Sequence, residues 1–283
     1  MPRIGVVTDS GADLSEPMAH MYSVREVPVT VRAGDTVFAD DEWTSSQFWS
    51  VAYHHSAHPR VSGPSPLTFY RAFATLLERS DHILCLTSSE KLGEAYQSAC
   101  TASQQFGNSV TVLDTLSLSL AQAYHAIAAA EAIAAGLGLN EIIRLVLSIR
   151  DRTQMLICPD TTLHVQTGGR IDRILRTIEP ILQSSRMKAL LRVKNGQLTI
   201  MGTALSHAQG VRRVRREIIK RGPAEMLTVT HTRLARPAHE LAHDLARALD
   251  FPVKEVLVAE AGPVLYSLVG PGAIAASIVQ RSR

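Results

Sequence analysis

The sequence predicts an α/β protein of two domains, an N-terminal sheet with helices on both faces and a smaller C-terminal α/β unit. Three observations carry this reading. Short apolar runs alternate with longer helical patterns along the whole chain, as expected of a parallel or mixed sheet covered by helices. The chain has 283 residues, and domains usually hold roughly 100–200. The pattern also changes near residues 153–160, which divides the chain into 1–157 and 158–283. With 46% hydrophobic and 19% charged residues, both parts have enough apolar material for a core.

The elements follow in order. Ile4–Thr8 is a short buried strand that ends in the turn-prone Asp9-Ser10-Gly11-Ala12-Asp13. Asp9 suits a cap on that turn, because a short carboxylate readily accepts from backbone N–H groups just ahead of it. Val24–Val31 is a second strand, and helices are expected at Ser45–Tyr53 and Pro66–Glu78. Asp81–Leu86 is a strand, Leu92–Phe106 a helix, and Val110–Leu113 a strand closed by Asp114. Two helices cover Leu116–Ala135 and Asn140–Arg152. Thr115–Leu139 is rich in Ala and Leu but holds Gln122, His125 and Glu131. It therefore reads as a buried helix, not a membrane span, which needs about 20 residues with few or no charges.

Beyond Pro159 the pattern gives a short helix, a turn at Thr167-Gly168-Gly169-Arg170 and another helix. Strands Ala189–Val193 and Leu198–Met201 flank Asn195-Gly196, a two-residue hairpin signal because both central positions need positive φ. A basic helix over Ala208–Lys220, a strand Met226–His231, a helix Pro237–Leu249 and a strand Val253–Ala259 complete the series.

Composition excludes several classes. A net charge of +3 is too weak to argue for nucleic acid. Three cysteines without a CxxC spacing fit neither a disulfide framework nor a cysteine metal site. Together with the lack of an N-terminal apolar leader segment, they suggest a cytoplasmic protein. There is no GxSxG, Walker loop or GxGxxG, so no cofactor and no catalytic set are expected.

Several segments, in the same order, resemble the DegV family. Val7 to Leu14 is similar to its TDSxxDL opening, Val61 to Pro66 to its TSQPSP turn, and Ser89 to Ala99 to its SxKLSGTYQSA stretch. Val112 to Thr115 resembles VxDT, Gly168 to Ile171 reads GGRI, and Gly262-Pro263-Val264 with Gly270-Pro271-Gly272 match the ends of GPVxxxHxGPG. No single match is specific; the ordered set is. The resemblance implies a non-enzymatic lipid-binding protein with a long-chain fatty acid or other acyl lipid in a tunnel between two α/β domains. It also implies, for some members, presentation of that lipid to a separate fatty acid kinase subunit.

The head-group positions depart from the family pattern. The resemblance places a Thr, a Ser and a His where this chain has Val61, Gly93 and Leu268. Ser62, backbone amides near Ser89, and Arg170 remain as candidate ligand contacts. Ser89 equally suits a cap or turn, and Arg170 a structural role at its turn. Glu94 would oppose an anion if it pointed inward. An alternative is a DegV-fold protein that has lost fatty-acid binding and serves another small molecule or a protein partner, with Tyr266 and Leu268 plugging the tunnel.

Two motifs compete. His239-Glu240-Leu241-Ala242-His243 is a literal HExxH, the remote reading being a zinc hydrolase. However, Ala238, Leu241, Ala242, Leu245, Ala248 and Leu249 form the apolar face of that helix, which puts both histidines on the opposite side. The basic helix carries Arg212, Arg213, Arg215, Arg216 and Lys220 opposite Val211, Val214, Ile218 and Ile219, the pattern of an amphipathic surface helix.

Overall fold

The computed structural model describes residues 2–33, 36–39, 60–160 and 187–282. The expected helix at Ser45–Tyr53 and the elements expected between Pro159 and residue 186 lie outside them, as do the Gly168–Ile171 turn and Arg170.

The first unit begins with β1 (Ile4–Asp9), a short 3-10 turn, α1 (Glu16–Met21) and β2 (Val24–Val27). The strand expected over Val24–Val31 is broken at Pro28, which has no N–H for the ladder. The chain leaves the sheet there and forms β3 (Thr30–Ala33), which with β4 (Thr36–Ala39) and β5 (Arg60–Ser62) makes a separate antiparallel sheet. Next come α2 (Pro66–Leu77), β6 (His82–Thr87), α3 (Ala95–Ser103), β7 (Val110–Asp114), α4 (Ser119–Ala134) and α5 (Leu139–Arg152). The main sheet of this unit is parallel, in the order β2-β1-β6-β7.

Helices cover both of its faces, as the buried runs of the strands predict. Val6, Leu84 and Leu86 pack against Leu120, Ala123 and Ile127 of α4 and Ile142 and Val146 of α5. The alternate residues Val7, Ile83 and Cys85 pack against Phe69 and Phe73 of α2 and Ala99 of α3.

The second unit contains β8 (Thr153–Cys158), β9 (Lys188–Lys194), β10 (Gln197–Ala204), α6 (His207–Ile219), β11 (Ala224–His231), α7 (Ala235–Ala248), β12 (Leu257–Glu260), α8 (Pro263–Val269) and β13 (Ile274–Gln280). Its six strands run β10-β9-β8-β13-β11-β12. β8 is buried throughout and pairs with both β9 and β13. The change of sheet therefore falls between Arg152 and Thr153, a few residues before a division at 157/158. Val253–Glu255, expected as the start of a strand, is a 3-10 turn. α8 and β13 have no counterpart among the expected elements.

At the hairpin between β9 and β10, Asn195 and Gly196 both have positive φ, 51° and 73°, as the dipeptide predicts. Its tip docks on the first unit. Gly196 N–H donates to the Leu116 carbonyl at 3.0 Å, its own carbonyl accepts from Ser89 Oγ at 3.1 Å, and Lys91 Nζ donates to the Asn195 carbonyl at 3.0 Å. A Cβ at Gly196 would stand 2.5 Å from Ser89 Oγ, so only glycine allows this approach.

The two units share α4. One side of this helix packs on the first sheet; Ala128 on another side meets Met226 and Val279 of the second. Eleven of its 16 residues are buried, which explains its lack of a polar face. No helix among the described residues is long and apolar enough to cross a membrane. Alanines suit a helix held between two sheets, because small side chains let both approach.

His125 lies in this seam, fully buried. Its Nδ1 sits 2.8 Å from the Ala121 carbonyl and must donate, since a carbonyl only accepts; Nε2 has no partner among the described residues. Burial, the largest cause, lowers its pKa from 6.5 to about 4. The folded protein keeps the ring neutral where the unfolded chain takes up a proton. The associated stability is present above pH 6.5 and is lost as pH falls through the folded value near 4; a shift of this size corresponds to about 3 kcal/mol. His125→Phe should flatten the pH dependence of the unfolding free energy across that window, whatever its effect on stability at neutral pH. An unchanged slope in urea titrations would assign the acid sensitivity to other groups.

Candidate functional site

In the order β2-β1-β6-β7 the chain steps to one side of β1 for β2 and to the other for β6. The carboxyl ends of β1 and β6 therefore flank a switch point, where open α/β sheets leave a crevice. A cavity lies there, enclosing about 510 Å³ with its open mouth counted. Its wall comes from five places: Asp9 at the end of β1, Val29 before β3, Val61 and Gly63 in and after β5, Ser88 with Leu92 to Ala95 around the start of α3, and Val264, Ser267 and Leu268 on α8, together with Leu118. Leu118 continues into the apolar cluster on the inner face of the second sheet, with Met155, Ile157, Leu191, Leu265 and Val269.

Local sequence builds each part of the wall. Asp9 caps the turn after β1: Oδ1 accepts from Gly11 N–H at 3.1 Å. Oδ2 accepts from Ser88 N–H at 2.7 Å and from Gln122 Nε2 at 3.1 Å. Its burial raises the carboxyl pKa above the usual range. Ser10 Oγ accepts from Val29 N–H at 3.0 Å and fixes the approach to β3. Gly63 brings β5 close to the start of α3, where a Cβ would meet Ala95 N at 3.0 Å. No side chain caps the start of α3. Below the cavity, Asp13 accepts from Ser119 Oγ at 2.5 Å and from Gly262 N–H at 2.8 Å, joining α4 to the start of α8. Thr232 holds the Gly270–Gly272 turn: its Oγ donates to the Gly270 carbonyl and accepts from Ala273 N–H.

Of the residues singled out from the sequence, the cavity brings together Val61, Gly93 and Leu268, with Glu94 exposed at the rim. Ser62 is not on the wall. Along β5 successive side chains alternate, so Val61 faces the cavity and Ser62 faces solvent. Ser89 is not on the wall either; it is fully buried, and its hydroxyl is used by Gly196 and Lys91 N–H. Tyr266 is buried and is not among the residues that line this cavity. Asp9, Ser88, Leu118 and Ser267 are wall residues that sequence reasoning missed as such. From the sequence, Asp9 and Asp13 invite a metal or acid–base reading, and Asp9 also suits a turn cap.

His239 and His243 project to solvent from α7, and Glu240 pairs with Arg236 at 2.9 Å. Among the described residues no group of three or more His, Cys, Asp and Glu side chains could hold a metal. Part of the basic side of α6, and Arg221 just beyond it, is engaged in structure. Arg213 donates to the Thr203 carbonyl at 3.0 Å, Arg215 lies 3.5 Å from Asp244, and Arg221 donates to Gln154 at 2.6 Å.

The arrangement is an α/β protein with two main sheets and a small third one, and an apolar crevice at its switch point. The family model described as an uncharacterised protein of the DegV family matches residues 3–281; the chain belongs to that family. A DegV domain-containing protein of Deinococcus radiodurans is 27% identical over 280 residues, covering 97% of this chain and 98% of the relative. A DegV family protein of Thermus thermophilus, whose structure is described as showing fatty acid binding, is 29% identical, with a TM-score of 0.82 over 98% of this chain and 99% of its own. A stearic acid-binding protein of Eubacterium ventriosum shares the fold, at 18% identity and a TM-score of 0.85 over 99% and 98% of the two chains.

Proposed function

We propose that this chain binds a long-chain fatty acid or related acyl lipid, without transforming it, in the cavity between its two units. The observation that carries the reading is the aliphatic wall of Val29, Val61, Leu92, Leu118, Val264 and Leu268 at the switch point. The fatty-acid-binding relative from Thermus thermophilus supports it. Each buried methylene contributes about 0.8 kcal/mol, so a sixteen-carbon tail offers roughly 12 kcal/mol before ordering and association costs. The tail supplies the affinity and the head group the selectivity. Presentation of the lipid to a separate kinase is the finer part of the reading and is supported by the family resemblance. A cytoplasmic location fits the three free thiols, Cys85, Cys100 and Cys158.

Native mass spectrometry of the protein purified from a bacterial host should reveal a co-purified acyl ligand. A protein that arrives empty and ignores added fatty acids and lipid esters would sink the reading.

Val61, Gly93 and Leu268 leave a carboxylate without the hydroxyls and imidazole that the resemblance implies, and each missing charge-assisted hydrogen bond costs about 1.5–3 kcal/mol. A Cβ at Gly93 meets nothing within 4 Å, so a serine fits there. Val61→Thr, Gly93→Ser and Leu268→His together should tighten palmitate binding at least about tenfold, which requires about 1.4 kcal/mol. Equal affinities of the triple variant and the parent in equilibrium dialysis would place the head group elsewhere.

A further inference from the structure

α6 and α7 lie side by side on the face of the second sheet that is turned away from the cavity. They pack there through Val214, Ile218, Leu241 and Leu245 against Leu156, Leu190 and Leu227. The alternate residues Met155, Ile157 and Leu191 belong to the cluster that Leu118 joins on the cavity side.

Outward, the two helices are strongly basic. From His207 to Arg221 and across α7 there are eight Lys and Arg residues and three Asp and Glu residues. This excess of five positive charges is larger than the +3 of the whole chain, so the basic charge is gathered on one face and the remainder of the molecule is slightly acidic. Ion pairs within the face do not cancel it. Glu217 is shared by Arg216, Lys220 and Arg221, at 3.9, 3.0 and 3.6 Å. Arg215 takes Asp244 at 3.5 Å, which sets the two helices level. Arg212, Arg216 and Arg247 are exposed, and each lies within about one helical turn of that pair.

The arrangement works against local stability. Arg212 and Arg216, and Arg216 and Lys220, are like charges four residues apart, which disfavours a helix. Arg236 is the second residue of α7, whose first turn has no acidic side chain, and the helix dipole opposes a cation there. Local preferences set aside on an exposed surface point to a role in binding. Neither helix carries an aromatic residue, and the large exposed apolar side chains all fall outside them. A lipid surface takes up apolar side chains beside basic ones, and a nucleic-acid strand uses aromatic stacking. Arginine forks match carboxylates through two parallel hydrogen bonds.

We infer that the outer face of α6 and α7 is a docking surface for a partner protein that presents a cluster of carboxylates, with Arg212, Arg216 and Arg247 as the principal contacts. The cavity lies across the sheet, so docking is independent of what the cavity holds.

A fluorescein-labelled decaglutamate peptide stands in for such a partner. In fluorescence anisotropy it should bind the full-length chain at physiological salt. Arg212→Glu, Arg216→Glu and Arg247→Glu together should weaken that binding at least about tenfold, as expected when complementary charges are reversed. Arg25→Glu, Arg71→Glu and Arg79→Glu reverse three exposed arginines of the first unit and change the net charge equally. They should leave binding within about twofold, because charges beyond the Debye length of about 8 Å are screened. No binding to the parent chain, or an equal loss in both triple variants, overturns the docking surface. So does tighter binding, through the same three arginines, of phosphatidylglycerol vesicles or of a single-stranded oligonucleotide than of the peptide. Hydrogen exchange of the parent chain with the peptide added decides the matter even if the first variant does not fold. Slowed exchange should fall on α6 and α7; slowing elsewhere and not on these helices overturns the assignment.

Discussion

Gly93→Trp is expected to abolish acyl-lipid binding, raising the dissociation constant at least about a thousandfold, or about 4 kcal/mol. Gly93 lines the cavity. Its φ is not positive, and a Cβ there meets no atom within 4 Å, so a side chain can leave the backbone at this position without an immediate clash. An indole reaching into the crevice takes the place of several methylenes of the tail, each worth about 0.8 kcal/mol. Gly93→Ala adds a single methyl and should leave binding within about twofold. Melting temperatures of both variants should stay close to the parent's, which separates a filled site from a damaged protein. Binding of labelled hexadecanol or palmitate to folded Gly93→Trp with the parent's affinity would show that the tail does not lie in this cavity.

Asp13→Ala should be the most destabilising single polar substitution in the seam, at about 4 kcal/mol, from two causes. Asp13 has φ 55°, and an alanine in the left-handed region costs about 1–2 kcal/mol. Its carboxylate also accepts from Ser119 Oγ and from Gly262 N–H, and a buried donor left unmatched costs about 1–3 kcal/mol. At roughly 2–4 °C per kcal/mol for a protein of this size, the melting temperature should fall by about 10 °C. Asp13→Asn tolerates the same backbone conformation and keeps one acceptor, so it should lose about half as much. A drop of under 3 °C for Asp13→Ala in calorimetry would mean that Gly262 and Ser119 find other partners.

Much of the fold was legible in the sequence wherever a segment carries its own periodicity or punctuation. Ile4–Thr8, Asp81–Leu86 and the Asn195-Gly196 hairpin declare themselves locally, and the outward face of the HExxH helix follows from Leu241, Ala242 and Leu245 alone. β13 does not declare itself. It is the central strand between β8 and β11, yet Ile274-Ala275-Ala276-Ser277 has small residues with little strand preference; its neighbours on both sides, more than its own composition, hold it extended. The break at Pro28 was readable but competes with a continuous run of β-branched residues. At the candidate site, the ordered motifs located Val61, Gly93 and Leu268. Asp9, Ser88 and Leu118 became wall residues only when β1, β6 and the start of α4 were placed side by side. Ser62 and Ser89 show the reverse: residue type suggested a ligand contact, while strand alternation and the hairpin tip had already claimed them.

The helix shared by the two sheets bears on how a long molecule gets in. A protein that opens like a jaw needs two bodies able to part along a smooth surface. Here α4 is embedded in both, so rocking the halves apart would strip it from one sheet and bare Ala128, Met226 and Val279 to water. On the acyl-lipid reading, the tail would enter through the mouth, which among the described residues is bordered by β5, the start of α3 and α8. The lifetime of such a loaded state would then follow small movements at the mouth and not a hinge between the halves.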